Sequence, residues 1–162
     1  MNYDLSDFRS RGGKMIMYHG LADGLVPTKG SQFYYNRTAA TMGGLARTRD
    51  FFRLFLVPGM QHCWGTTVDA PWNFAGAFQA GFLGNDTWSV PGFRDARHDA
   101  LLALVDWVEE GRAPDSIVAT TWESSMNASS GVKSQRPLCA FPEKAVYHGH
   151  GKVGAASSWS CG

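Results

Sequence analysis

The sequence carries no excess of charge of either sign. Lys and Arg total 15 and Asp and Glu total 14 over 162 residues, a net charge of +1. That balance excludes the basic footprint of a nucleic-acid binder and the polybasic patch of a membrane-surface protein. Long apolar runs are missing too, and none approaches the roughly 20 residues of a membrane-spanning helix. Cysteine is scarce: Cys63, Cys139 and Cys161 form an odd set, which leaves one outside any single pair. No signal peptide, transit peptide or lipidation motif is present, which by itself reads as cytoplasmic. Apolar residues are plentiful at 44% and aromatics at 13%, which rules out a disordered tail or a low-complexity scaffold. Glycine is also abundant, at 19 residues with no Gly-X-Y period, and so marks tight turns. Three Asn-x-Ser/Thr sequons, at Asn36, Asn85 and Asn127, are candidate glycosylation sites and point toward a secreted protein instead.

The apolar pattern predicts an α/β chain. Residues 4–11 read as a short helix or loop, broken by Gly12-Gly13. Residues 14–19 form a near-continuous apolar run, the pattern of a strand buried on both faces. Thr28 is the expected N-cap of a helix to about Met42, and residues 51–57 form a second strand closed by Pro58-Gly59. Strand, helix, strand is one βαβ unit, and hence a piece of parallel sheet. Residues 60–93 lack periodicity and hold Trp64, Trp72, Phe74, Phe78, Phe82 and Trp88, a long loop of the kind that often carries function. Residues 94–110 predict a helix whose core stripe is Leu101, Leu104, Val105 and Val108. Residues 117–122 read as a final strand, and the polar stretch 124–135 as a loop. The Gly- and Ser-rich tail, 136–162, lies within one unit spanning 1–162.

Two histidine contexts carry potential chemistry. His19-Gly20 ends the first strand with Asp23 four residues on, and Gly59-Met60-Gln61-His62-Cys63 follows the second. Open α/β sheets place their sites at these carboxyl ends. An Asp after one strand and a His after the next is the Asp…His half of an α/β-hydrolase triad. In that arrangement His62 takes a proton from a serine hydroxyl, and Asp23 orients the imidazole and stabilises its charged form. The serine itself is missing: no Gly-x-Ser-x-Gly occurs, and only Ser6 and Ser10 precede Asp23. A lone Asp and a lone His on loops also fit a purely structural role, and the residues alone leave both readings open.

Five segments resemble the tannase and feruloyl esterase family. They are Arg11-Gly12-Gly13-Lys14 with Tyr18-His19-Gly20-Leu21-Ala22-Asp23-Gly24-Leu25-Val26-Pro27; Val57-Pro58-Gly59-Met60-Gln61-His62-Cys63; Asp95-Ala96-Arg97-His98-Asp99-Ala100-Leu101; Val105-Asp106-Trp107-Val108-Glu109; and Arg136-Pro137-Leu138-Cys139 with Cys161. The resemblance covers essentially the whole chain. It implies a secreted serine esterase with an α/β-hydrolase core, acting on galloyl esters of tannins or feruloyl esters of plant cell-wall polysaccharide. It puts the triad aspartate on Asp23 and the histidine on His62. It implies that Cys139 and Cys161 pair with each other, pinning the tail. By the same resemblance Cys63 pairs with a cysteine beside the nucleophilic serine, outside these residues; a plain buried thiol is the other reading of Cys63. The family's structural calcium lies in a lid that these residues do not include, so no cofactor or metal is expected in this chain.

The expectation is therefore the C-terminal portion of an α/β-hydrolase parallel sheet, without nucleophile half or lid, and inactive alone. One competing reading is a non-catalytic half-fold that binds phenolic or polysaccharide ligands. An open apolar sheet edge weighs against it. Another is a complete small esterase with a different nucleophile.

Overall fold

The computed structural model describes residues 1–76, 89–90, 92–124 and 127–162. At its centre β1 (Met15–Gly20) lies parallel to β2 (Phe52–Val57), in a register running from Met15 opposite Phe52 to Gly20 opposite Val57. The connection passes through α2 (Thr28–Thr41) and α3 (Leu45–Arg49), which makes the expected βαβ unit, and a short α1 (Ser6–Ser10) precedes it. Apart from Arg53, which pairs with Asp115 at 3.1 Å, β2 is apolar because both of its faces are covered. Phe55 and Val57 pack with Met60, Trp72, Phe74, Ile117 and Leu138, while Phe52 and Leu54 pack with Tyr35 and Phe51. Among the described residues no helix is long and apolar enough to cross a membrane.

The second half departs from the expected pattern. Residues 94–99 form a turn, and the helix α4 begins only at Ala100 and runs to Glu110. Asp99 caps it, accepting from the backbone N–H groups of Leu101 and Leu102 at 2.8 and 3.3 Å. The expected stripe is not the buried face: Ala100, Ala103 and Trp107 point to the core, and Leu101, Val105 and Val108 are exposed. This helix is apolar on two adjacent faces, and the indole of Trp107 decides which one is buried. Thr28 is not the N-cap of α2 either. Pro27 occupies that position, and the Thr28 hydroxyl donates to the Gly20 carbonyl at 2.6 Å, tying the helix to the end of β1.

β3 (Ser116–Ser124) pairs antiparallel with β4 (Asn127–Cys139), so the stretch expected as a loop is mostly strand. Its Ser, Asn and Gly residues lie largely on exposed backbone, where ladder hydrogen bonds with β3 and not burial specify the strand. After β4 the chain runs against the second edge of β2: Ala140 bridges Phe55, and the Phe141 N–H donates to the Leu54 carbonyl at 2.8 Å. β5 (Ala145–Tyr147) and β6 (Trp159–Cys161) form a small antiparallel pair. Cys139 and Cys161 are disulfide-bonded across 22 residues, as the resemblance implied, and so fasten the tail to the end of β4. Arg136 lies inside β4 and starts no separate element.

The loops that leave β1 and β2 are joined at the same end of the sheet. Leu21 N–H donates to the Val57 carbonyl at 2.9 Å and Ala22 N–H to the Met60 carbonyl at 3.0 Å. A Cβ on residue 20 would fall 2.2 Å from the Met60 oxygen and 2.3 Å from that of Gln61, so only glycine permits this approach. Gly20→Ala is expected to force the loops apart and cost about 1–3 kcal/mol, the usual range for over-packing. Asp99→Ala removes the cap and the acceptor that Val90 N–H and the Ser89 hydroxyl use. It is expected to cost about 2–4 kcal/mol. Urea unfolding of the two variants beside the wild-type chain measures both, and an unchanged midpoint in either contradicts the assignment.

Candidate active site

Asp23 sits on the loop after β1, with its side chain only 1% exposed. The loop folds back so that Oδ1 accepts from the backbone N–H groups of Leu25 at 2.8 Å and Val26 at 2.9 Å. Oδ2 faces two imidazoles, His62 Nδ1 at 2.9 Å and His19 Nε2 at 3.1 Å. The Val26 N–H holds the carboxyl well below the usual carboxylate range; burial works against this, and the His62 ring and the Leu25 N–H add to it. Asp23 is therefore an anion across the neutral pH range.

His62 occupies the turn beyond β2. Gln61 N–H donates to the Gly65 carbonyl at 3.0 Å, Met60 bridges Thr66, and Cys63 adopts a left-handed φ of 64°. A non-glycine residue in that region is uncommon and marks a constrained turn. Because a carboxylate oxygen only accepts, the Nδ1 facing Asp23 carries the proton. Nε2 is left as the basic nitrogen, on a side chain that is 47% exposed. A buried anion beside a half-exposed imidazole is an arrangement able to serve as orienter and base in general acid–base catalysis.

The structure brings Asp23 and His62 together across 39 residues of sequence. Cys63 is exposed beside His62 and lies outside the Cys139–Cys161 disulfide, so the buried-thiol reading does not hold. Asn36 is exposed on α2, although Thr38 of its sequon is fully buried, and Asn127 is exposed at the start of β4. Asn85 lies outside the described residues, as do Phe78, Phe82 and Trp88. Trp72 and Phe74 are core residues, and Trp64 is 37% exposed. Among the described residues no group of three or more His, Cys, Asp or Glu side chains is placed to hold a metal ion. Sequence reading placed His19 near Asp23 without a role and missed Ser31, whose hydroxyl lies 2.7 Å from His19 Nδ1. Only the spacing of four between His19 and Asp23 signalled the first, and nothing local signalled the second.

The chain is similar to known proteins over nearly all of its length. It is 38% identical over 169 residues to an uncharacterized esterase of Xanthomonas campestris pv. campestris, covering 98% of this chain and 27% of that protein. It is 38% identical over 158 residues to the mono(2-hydroxyethyl) terephthalate hydrolase of Piscinibacter sakaiensis, covering 98% and 21%. The crystal structure of feruloyl esterase B from Aspergillus oryzae superimposes with a TM-score of 0.78 at 33% identity, over 99% of this chain and 29% of that one. The chain thus spans about a quarter of the length of the curated relatives it matches. The sequence profile described as Tannase and feruloyl esterase matches residues 1–162. With that match end to end, and with its Asp23–His62 pair at the carboxyl ends of two parallel strands, the chain belongs to the tannase and feruloyl esterase family.

Proposed function

We propose that this chain supplies the base and orienter of a serine-type carboxylic ester hydrolase acting on aromatic esters, of which galloyl and feruloyl esters are the class the family name indicates. The observation that carries the reading is the hydrogen bond from His62 Nδ1 to the buried Asp23 carboxylate, which leaves Nε2 basic and half-exposed. His62 Nε2 takes the proton of a serine hydroxyl as that oxygen attacks the ester carbonyl. It then returns the proton to the departing alcohol, while Asp23 stabilises the imidazolium between the two steps. The serine, with the N–H donors that stabilise the tetrahedral oxyanion, comes from sequence outside these 162 residues, since no Gly-x-Ser-x-Gly is present in them. The chain is then inactive by itself. Its length, about a quarter of the curated relatives, fits that division. Cys63, exposed beside His62, is in this reading the residue that a disulfide ties to the nucleophile segment, holding base and serine in register. The sequons and the Cys139–Cys161 disulfide support a secreted setting.

The test uses the 162-residue chain and a chimaera in which it replaces the matching 29% of the A. oryzae feruloyl esterase B. Each is incubated with methyl ferulate and methyl gallate. The isolated chain is expected to release no acid above a His62→Ala control. The chimaera is expected to turn over, and to lose on the order of 10⁴-fold in kcat with Asp23→Asn and at least as much with His62→Ala. Turnover by the chain alone that His62→Ala abolishes places the nucleophile within it, and a chimaera indifferent to His62→Ala overturns the reading. A pH dependence follows as well. A carboxyl depressed on folding stabilises the fold fully above its unfolded pKa of about 4, and this is lost as pH falls through the lower folded value. The stability gap between wild type and Asp23→Asn is therefore expected to shrink as pH falls below about 4, which acid unfolding curves measure.

A further inference from the structure

Asp23 is held by a second histidine that the base-and-orienter pair does not require. His19 is near the end of β1, opposite Leu56 of β2, with its side chain 11% exposed. Its Nε2 lies 3.1 Å from Asp23 Oδ2 and 3.1 Å from the Val26 carbonyl, and its Nδ1 lies 2.7 Å from the Ser31 hydroxyl on α2. Both neighbours of Nε2 only accept, so Nε2 carries a proton. The Ser31 hydroxyl can give its own proton to Nδ1, which makes a neutral ring with both nitrogens satisfied. A carboxylate offers about four acceptor positions. Leu25 and Val26 fill those on Oδ1, and His62 and His19 fill those on Oδ2. With His19 in place, no acceptor position of this nearly water-free carboxylate is left empty.

We propose that His19 is a positioning residue: a neutral imidazole, anchored by Ser31, that fixes the Asp23 carboxylate in the orientation from which it holds His62. This rests on the catalytic reading of Asp23 and His62 given above. Without His19, one position on Oδ2 has no donor and little water. The carboxylate then turns toward other donors and its bond to His62 loosens. His19 is mostly buried and in this role acts through Asp23, so the loss falls on kcat and leaves KM in place. A glutamine at position 19 can present an amide N–H where His19 presents Nε2–H. It therefore restores the contact with Asp23.

The first readout is spectroscopic and needs no activity. In the 162-residue chain at pH 8, the Nδ1 proton of His62 is expected to give a resonance that survives in His19→Gln and is lost in His19→Leu. The second is kinetic, in the chimaera with methyl ferulate: His19→Leu is expected to lower kcat about 10- to 100-fold with KM within about twofold, the scale of a misoriented catalytic group. His19→Gln is expected to recover most of that loss. If His19→Leu fails to fold, Ser31→Ala takes its place, broadening the His62 proton and lowering kcat several-fold in a folded protein. A His62 proton and a kcat unchanged by His19→Leu overturn the proposal, as does a glutamine variant no better than the leucine one. Activity that survives His62→Ala overturns the catalytic reading itself, whereas loss with His62→Ala but none with His19→Leu overturns only the role of His19.

Discussion

The carbonyl oxygens of Met60 and Gln61 stand where a Cβ on residue 20 would have to sit. That close approach fixes the rest of the site. β1 and β2 are parallel and end level with each other, at Gly20 and Val57, so both following loops emerge at one edge of the sheet. With no side chain between them, the loops share hydrogen bonds from Leu21 to Val57 and from Ala22 to Met60. Asp23 and His62 meet because the backbone beneath them is joined, and their own contact adds to a geometry already set. Parallel pairing is what makes this possible, since an antiparallel neighbour would send its loop to the opposite end.

The second constraint is electrostatic. A carboxylate taken out of water is unstable unless donors replace the water. Two backbone N–H groups and two imidazoles do so at Asp23, and the resulting anion is fixed before any substrate arrives. In the proposed reaction, such preorganisation would let a fixed charge stabilise an imidazolium without rearrangement. The support extends inward: His19 belongs to β1 and Ser31 to α2, and Thr28 ties the start of α2 to Gly20. The helix between the two strands is therefore part of the site's scaffold.

The site was legible in the sequence to the extent that its residues sit at strand ends. Two apolar runs bounded by His19-Gly20 and Pro58-Gly59 gave both strands and, with them, the positions of Asp23 and His62. The bond between Asp23 and His62 spans 39 residues, and no local pattern encodes it; only the order of an Asp loop and a His loop suggested it. What local pattern misjudged has a common cause. Leu101, Val105 and Val108 have the right spacing for a core stripe, but the large ring of Trp107 turned the helix toward Ala100 and Ala103. Residues of β4 look like a loop because Ser, Asn and Gly favour turns, yet pairing with β3 imposed a strand. Thr28 has the chemistry of a cap and spends its hydroxyl on Gly20 instead. In each case a tertiary contact outweighed a propensity worth only about 1 kcal/mol.

The central claim is that this chain, by itself, holds His62 with its Nδ1 proton on Asp23 and its Nε2 free to act as a base. The most direct measurement is the nitrogen-15 spectrum of the His62 ring in the isolated chain at pH 8, beside the Asp23→Asn variant. The account predicts a ring protonated at Nδ1 with a strongly deshielded proton that disappears in the variant. A ring protonated at Nε2, or a spectrum indifferent to Asp23→Asn, would contradict it.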